Sequence, residues 1–446
     1  MVPDRKGFSN LKLIDNIDMQ TIKLSKYRWV VLAALMMITM MSQVQWLTHA
    51  PIARAADVFY EGKFNPASFF NIDFLASSYM IIYLIVCIPA SYFIDTYGIV
   101  KGVGLGAILM IIGATFKGLS GNSFSMVLTG QIFLAVAQPF VINASTAVAA
   151  RWFPVKERAV ATGLATLAQY IGIMAAMVIT PLLIISSSSD PNYGNGIGSM
   201  LKTYAIVTIV ASLVGLILLK EKPATPPSEE AFIRINFLDG IKHIFRLRDM
   251  WTMVILFTIG LGIFNAVSSM VDSIASYLGV DDSDGMIGGI MLIGGIIGAI
   301  IIPILSDLFK KRKLFLLICI SGMVPGVAGI AFAPFLTGGQ GVNPEAAYTL
   351  ALISSFMLGF FVMSAGPIGF QYAAEISSPA PESTSQGLLL WVGQISGIIM
   401  VTGMSIHNKS YLPAFLISFV ILSIIATVFV ALLKESAMIK AETKNK

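Results

Sequence analysis

Ser42, Gln43, Gln45, Trp46, Thr48 and His49 fall inside an apolar run that extends from Trp29 to about Ala53. Amides, hydroxyls and an imidazole in such a run lose water and must find protein or solute partners. An indole among them can form one side of an aromatic box for a cation, stack on a flat solute, or fill the core. Gln43 and Gln45 are two positions apart on a helix and point about 200° away from each other, so both are not expected at one ligand. Further along, Gln169 and Gln394 each lie about 12 residues into an apolar run, near its middle. A buried glutamine serves as a bond between helices or as a cavity wall. One in each half of the chain favours the cavity. Asn265 sits at similar depth, and Trp391 is one helical turn before Gln394. Trp46, Gln45, Gln169, Asn265, Gln394 and Trp391 are therefore the candidate substrate-binding residues. Asp272 and Glu375, acids near span ends, are the candidates for proton or cation coupling.

These residues need elements that hold polar groups away from water. The 446-residue chain is 56% hydrophobic and 12% charged, with a mean hydropathy of +0.82. A soluble protein carries about 25% charge, so an integral membrane protein is expected. Apolar runs of about 20 residues or more match the thickness of a bilayer, and strand-length alternation is absent, so the spans are helices. Cys87 and Cys319 fall in apolar runs and read as core thiols. The three histidines have no metal-ligand spacing, and no Ser/His/Asp or Cys/His grouping is present. Neither an enzyme nor a cofactor is expected.

Twelve spans are predicted at about 29–53, 73–95, 100–119, 124–150, 157–185, 198–219, 250–278, 286–309, 313–335, 345–374, 384–406 and 411–434. All Lys and Arg except Arg54, Lys63, Lys117, Lys202 and Lys409 then fall on one side. The positive-inside rule puts both termini in the cytoplasm, most simply at the cell membrane. The net charge of +5 is thus a topology signal, and nucleic acid is not an expected partner. The Pro- and charge-rich stretch Lys220–Glu230 divides the spans six and six. The expected units are a leader at 1–27, a bundle at 28–219, a linker at 220–249, a second bundle at 250–434 and a tail at 435–446. Glu157/Glu382, Gln169/Gln394 and Gly172/Gly397 are three pairs with one common spacing, which marks the halves as repeats. Duplicated bundles of this kind bind solute near the midplane and rock around it.

The second span ends in Ser91, Asp95, Gly98 and Lys101, which resembles the Gly-x-x-x-Asp-x-x-Gly-x-Arg/Lys loop of the major facilitator superfamily, with serine for the first glycine and the lysine displaced by one. Asp307 ends the eighth span in the same way. Asp95, Gly98, Arg151, Arg158, Asp307 and Glu375 are the candidate gating residues, because carboxylates and cations at helix ends can latch the halves together. The alternative is interfacial charge and helix punctuation.

Within that superfamily the chain resembles the feline leukaemia virus subgroup C receptor-related transporters, associated with choline and haem. The likeness rests on Gln45-Trp46, Phe59-Tyr60, Ile72-Asp73, Gly130-Gln131, Trp152-Phe153 with Glu157, Pro367-x-Gly369-Phe370 with Glu375, and Ser385-x-Gly-Leu-Leu389 with Gln394 and Gly397. It implies a site where a first-helix tryptophan and a seventh-helix tyrosine enclose a quaternary ammonium, completed by glutamines of the fifth and eleventh helices. Trp46, Gln169 and Gln394 match, whereas the tyrosine position falls on Asn265 and Trp391 is the candidate replacement. The expected function is alternating-access transport of a small organic solute, choline-like or another organic cation, by a monomer in the bilayer. A proton-coupled carrier of another metabolite, haem-like or anionic solutes included, and a non-transporting receptor are the alternatives. A uniport and a carrier with protons as a second partner are equally compatible with the residues.

Overall fold

The computed structural model describes residues 25–65, 68–223, 242–377, 380, 382–407 and 409–435. Most of the expected leader, linker and tail therefore lies outside the described residues. Among those described, the chain forms helices and turns and no strand. Twelve helical segments are long and apolar enough to cross a bilayer, which makes this a multi-pass integral membrane protein.

Spans 1 to 6 are Arg28–Leu47, Ile72–Tyr97, Ile99–Leu119, Phe124–Ile142, Val155–Leu182 and Ile197–Leu218. Spans 7 to 12 are Arg248–Ser269, Met286–Phe309, Arg312–Leu336, Pro344–Ser377, Glu382–Ser405 and Leu412–Leu432. An even number of crossings puts Arg28 and Leu432 at the same end of the bundle, here the terminal end. The opposite end is the distal end.

Three spans are broken where the chemistry of the sequence demands it. Span 1 does not run straight to residue 53: it stops at Leu47, turns through Ala50–Ile52 with Pro51 in its first turn, and resumes as Ala53–Phe59. Span 7 breaks at Met270 and resumes as Val271–Leu278. The two first spans of the repeats thus share a distal break. Span 4 bends at Asn143 into Ala144–Trp152. There the Asn143 amide donates to the Cys87 carbonyl at 3.3 Å and to Ser91 Oγ at 3.0 Å, and accepts from the Tyr83 hydroxyl at 3.0 Å.

The same helix pairings recur in the two halves. Spans 1 and 5, 2 and 4, 3 and 4, and 3 and 6 pack together, as do spans 7 and 11, 8 and 10, 9 and 10, and 9 and 12. Adding six to each partner converts the first set into the second. Lipid offers no hydrophobic drive between helices, so close backbone approach supplies the contact. A Cβ on Gly298 would lie 2.3 Å from the Phe360 carbonyl oxygen, and one on Gly294 would lie 2.6 Å from that of Phe356. The Gly294-x-x-x-Gly298 stripe therefore lets spans 8 and 10 touch main chain to main chain. Between the halves, span 2 packs on span 11 and span 5 on span 8.

Candidate solute site

Two amide pairs occupy equivalent places in the repeats. In the first half, Gln43 Nε2 of span 1 donates to Gln169 Oε1 of span 5 at 3.3 Å. In the second, Asn265 Nδ2 of span 7 donates to Gln394 Oε1 of span 11 at 3.4 Å. Each pair depends on a glycine one turn further along the fifth helix of its half. A Cβ on Gly172 would lie 2.3 Å from the Met40 carbonyl oxygen and 2.9 Å from Gln43 Cβ. On Gly397 it would meet Met80 Sδ at 2.8 Å and Asn265 Cβ at 3.0 Å. Small residues here bring the amides within reach. Gln43 Oε1 is buried and has no hydrogen-bond partner, so it is an acceptor with unused capacity.

It is Gln43, not Gln45, that faces Gln169. Gln45 is turned to span 6, where its Nε2 donates to Thr208 Oγ1 at 2.9 Å and weakly to the Tyr204 carbonyl at 3.4 Å. The two residues diverge, as their spacing requires, but in the sense opposite to the expectation that Gln45 lines the site.

Trp46 is buried, 7% exposed. Its indole Nε1 donates to the Ala76 carbonyl of span 2 at 3.0 Å, and its ring lies 6.4 Å from that of Tyr79, tilted by 33°. The aromatic neighbour of Trp46 is thus a span 2 tyrosine. Trp391 is 38% exposed on span 11. A tightly packed seam lined by Trp46, His49, Asp73, Ala76 and Ser269, with no room for a water molecule, lies beside the indole, so first-half and second-half residues meet there. Both ring nitrogens of His49, and the Ser269 hydroxyl, are buried without hydrogen-bond partners.

What fixes Trp46 is the way the broken end of span 1 is satisfied. Lys117 Nζ of span 3 donates to Gln131 Oε1 at 2.8 Å and to the Gln45 carbonyl at 3.3 Å. Gln131 Nε2 of span 4 in turn donates to the Trp46 carbonyl at 3.3 Å and the Leu75 carbonyl at 2.8 Å. A helix end buried inside the protein leaves carbonyls that water cannot reach, and these side chains take them up. Neither Lys117 nor Gln131 is singled out for this role by sequence. A lysine in a glycine-rich apolar span is the available signal.

The charged candidates divide between the two ends. At the distal end Asp272 is engaged across the halves, not isolated: Arg54 Nη2 lies 2.7 Å from Asp272 Oδ1, Arg54 Nε donates to the same oxygen at 2.8 Å, and the Arg54 backbone N–H donates to Oδ2 at 2.5 Å. Beside it Lys409 Nζ stands 3.6 Å from Asp73 and 4.0 Å from Asp57, while Ser405 Oγ donates to Asp73 Oδ2 at 2.7 Å. Ser186 Oγ also donates across the seam, to the Ser283 carbonyl at 2.7 Å. Asp282 heads span 8, accepting from the Met286 and Ile287 backbone N–H groups and from the Tyr348 hydroxyl; burial pushes its carboxyl up to about 6.

At the terminal end none of the named ion pairs joins the first half to the second, and Arg151 reaches the start of the linker. Arg151 pairs with Glu221, Arg28 with Glu157 at 3.1 Å, and Arg312 with Glu375 at 3.3 Å. The structure therefore does not bring Arg151 to Glu375. Glu221 also accepts from the Ile99 and Val100 backbone N–H groups at 3.0 and 2.9 Å, capping span 3. Gly98 makes room for it: its φ is +101°, and a Cβ would lie 2.5 Å from Glu221 Oε1. The side chains of Asp95, Arg158 and Asp307 lie outside the described residues.

Comparison with known proteins fits this architecture. Residues 28–401 match the family model described as Major Facilitator Superfamily. An uncharacterized MFS-type transporter of Caenorhabditis elegans is 28% identical over 86% of this chain, an alignment that spans 65% of that protein's own length. The choline/ethanolamine transporter FLVCR2 of Homo sapiens is 27% identical over 93% of this chain and 79% of its own. In shape, the chain resembles a D-xylose-proton symporter with a TM-score of 0.69, covering 92% of this chain and 99% of that one at 15% identity.

Proposed function

Because the chain belongs to the Major Facilitator Superfamily, we propose that it carries a small organic cation of the choline or ethanolamine kind across the membrane. Spans 1–6 and 7–12 act as the two rocking units, with the linker near 220–249 between them, and expose the site to either face in turn. Both termini are cytoplasmic in this reading, and the plasma membrane is the site of action of a monomer. The distal end is then the outer one, and the bonded distal seam is a closed outer gate.

The observation that carries the proposal is the placement of the amide pairs Gln43–Gln169 and Asn265–Gln394 at matching positions of the repeats, with Trp46 and Tyr79 in the first half. An indole face and a neighbouring ring attract an ammonium by about 0.5–2 kcal/mol each. The amides can exchange hydrogen bonds with a hydroxyl. Relatives that bear the name choline/ethanolamine transporter add weight to this solute class. Asp272 and Glu375 are each paired with an arginine, which favours uniport over proton coupling.

Uptake of radiolabelled choline and ethanolamine into proteoliposomes, with and without a pH gradient, tests the proposal. Saturable uptake that Trp46→Ala abolishes and that ignores the gradient is expected. If neither amine is taken up or shifts the melting temperature of the wild-type protein, the solute class is wrong.

A further inference from the structure

We propose that Asp73 and Asp57 form a docking site for an organic ammonium at the distal mouth, and that Lys409 fills it as a built-in ammonium whenever the mouth is closed. The inference rests on the organic-cation reading above and adds to it a place of first capture.

Asp73 begins span 2 and Asp57 lies in the short helix Ala53–Phe59, both in the first half of the chain. Their counter-ion comes from the second half: Lys409, in the turn between spans 11 and 12, places Nζ 3.6 Å from Asp73 Oδ1 and 4.0 Å from Asp57 Oδ2. Ser405, at the end of span 11, supplies the hydroxyl on Asp73 Oδ2. Any movement that parts the halves at this end removes the ammonium and the hydroxyl together. Asp73 is then a carboxylate that was only 5% exposed, with its cation gone. A buried charge must be re-paired or hydrated, and a mobile ammonium has the same chemistry as the one that left.

A second observation points to a ligand and not merely to a latch. Asp73 lines the same seam as Trp46, His49 and Ser269. His49 is 3% exposed and neither of its ring nitrogens has a partner, which leaves an acceptor or donor facing a wall it does not use. That seam is closed in this structure; once the mouth opens, a carboxylate, an imidazole and an indole line one cleft, which suits a small amine that carries a hydroxyl. A cation held by Asp73 is next to Trp46, one helical turn along span 1 from Gln43. On closure Lys409 returns to the acids, and one ammonium replaces another with no net change of charge.

The test is chemical rescue. Lys409→Met leaves the acids unpaired, so its melting temperature should fall by several degrees and recover when ethylammonium chloride is added at tens of millimolar. Potassium chloride at equal concentration should not restore it, the wild type should not respond, and Lys409→Met combined with Asp73→Asn should neither fall as far nor recover. Absence of rescue, or rescue that survives Asp73→Asn, overturns the proposal. If Lys409→Met does not purify, Asp73→Asn alone decides: KM for choline should rise about tenfold with little change in kcat, and an unchanged KM overturns it. Ethylammonium rescue is read from stability, so it can succeed even where choline uptake by the wild type fails.

Discussion

Replacing Asp272 by asparagine is expected to open the distal mouth. Asp272 takes three bonds from Arg54, two from the guanidinium and one from the backbone, and all three join the distal ends of spans 1 and 7. They exist only while the halves are together at this end. Charge-assisted bonds contribute about 1.5–3 kcal/mol each, but the Arg54 side chain is 27% exposed, and asparagine keeps one acceptor. A loss of about 2 kcal/mol is a fair figure, or about 30-fold in the closed-to-open ratio. A protein closed about 99 to 1 would then be closed about 3 to 1. Spin labels at Val58 and Tyr411, both exposed near the distal mouth in opposite halves, would report this in a background without Cys87 and Cys319. The variant should show a second, longer-distance population of roughly a quarter of the molecules, and Arg54→Gln should show the same one. Distance distributions that superimpose on the wild type would refute the latch.

The glycines beside the amide pairs give a graded expectation. Gly172→Ala drives a methyl into the Met40 carbonyl oxygen at 2.3 Å, whereas Gly397→Ala comes within 2.8 Å of the flexible Met80 Sδ and 3.0 Å of Asn265 Cβ and meets no main-chain atom that close. Gly172→Ala should cost about 1–3 kcal/mol and Gly397→Ala less, read as the order of melting temperatures. Asp282 gives a pH signature. Its carboxyl is raised to about 6 by burial, so the folded protein holds the proton more tightly than the unfolded chain between about pH 4 and 6. The stability this contributes is complete below about pH 4 and is lost as the pH rises through 6, so melting temperature should decline across that window less steeply in Asp282→Asn than in the wild type.

The spans and the repeat were legible in the sequence because bilayer thickness and the six-plus-six layout leave few alternatives. The common spacing of the three residue pairs picks out Gln169 and Gln394 together with Gly172 and Gly397, and the structure puts each amide against its glycine-backed partner on spans 1 and 7. Which of Gln43 and Gln45 turns inward was not legible. Their divergence is fixed by the helix, but the rotation of span 1 is set by Gln131, Lys117 and Thr208, which lie on other spans. The partner of Asp272 was hidden for a similar reason. Arg54 is 218 residues away, and in the sequence it reads only as a cation on the sparsely charged side.

The amides and the distal charges also differ in how they are inherited by the repeat. Gln169 and Gln394 are a duplicated pair, but counted from the breaks in spans 1 and 7 Arg54 falls on Ser276, and counted from the starts of spans 2 and 8 Asp73 falls on Ile287. Taken backwards, the same alignment puts Asp272 on Ala50, and the spacing of spans 5 and 11 puts Lys409 on Ile184. In the proposed site the duplicated amides stand in both halves, whereas the rings of Trp46 and Tyr79 come from the first half alone. A mouth at one end of the bundle needs no counterpart at the other, since in the proposed rocking the two ends open at different times. In this reading Arg54, Asp272 and Lys409 set how firmly the distal end closes and leave the amide pairs as they are. This predicts that changes among Arg54, Asp272 and Lys409 redistribute the two mouths, whereas changes at Gln169 and Gln394 alter affinity from either side. Solute protection measured separately on the two faces of oriented proteoliposomes distinguishes them, and a site variant that weakens protection on one face alone would break the argument.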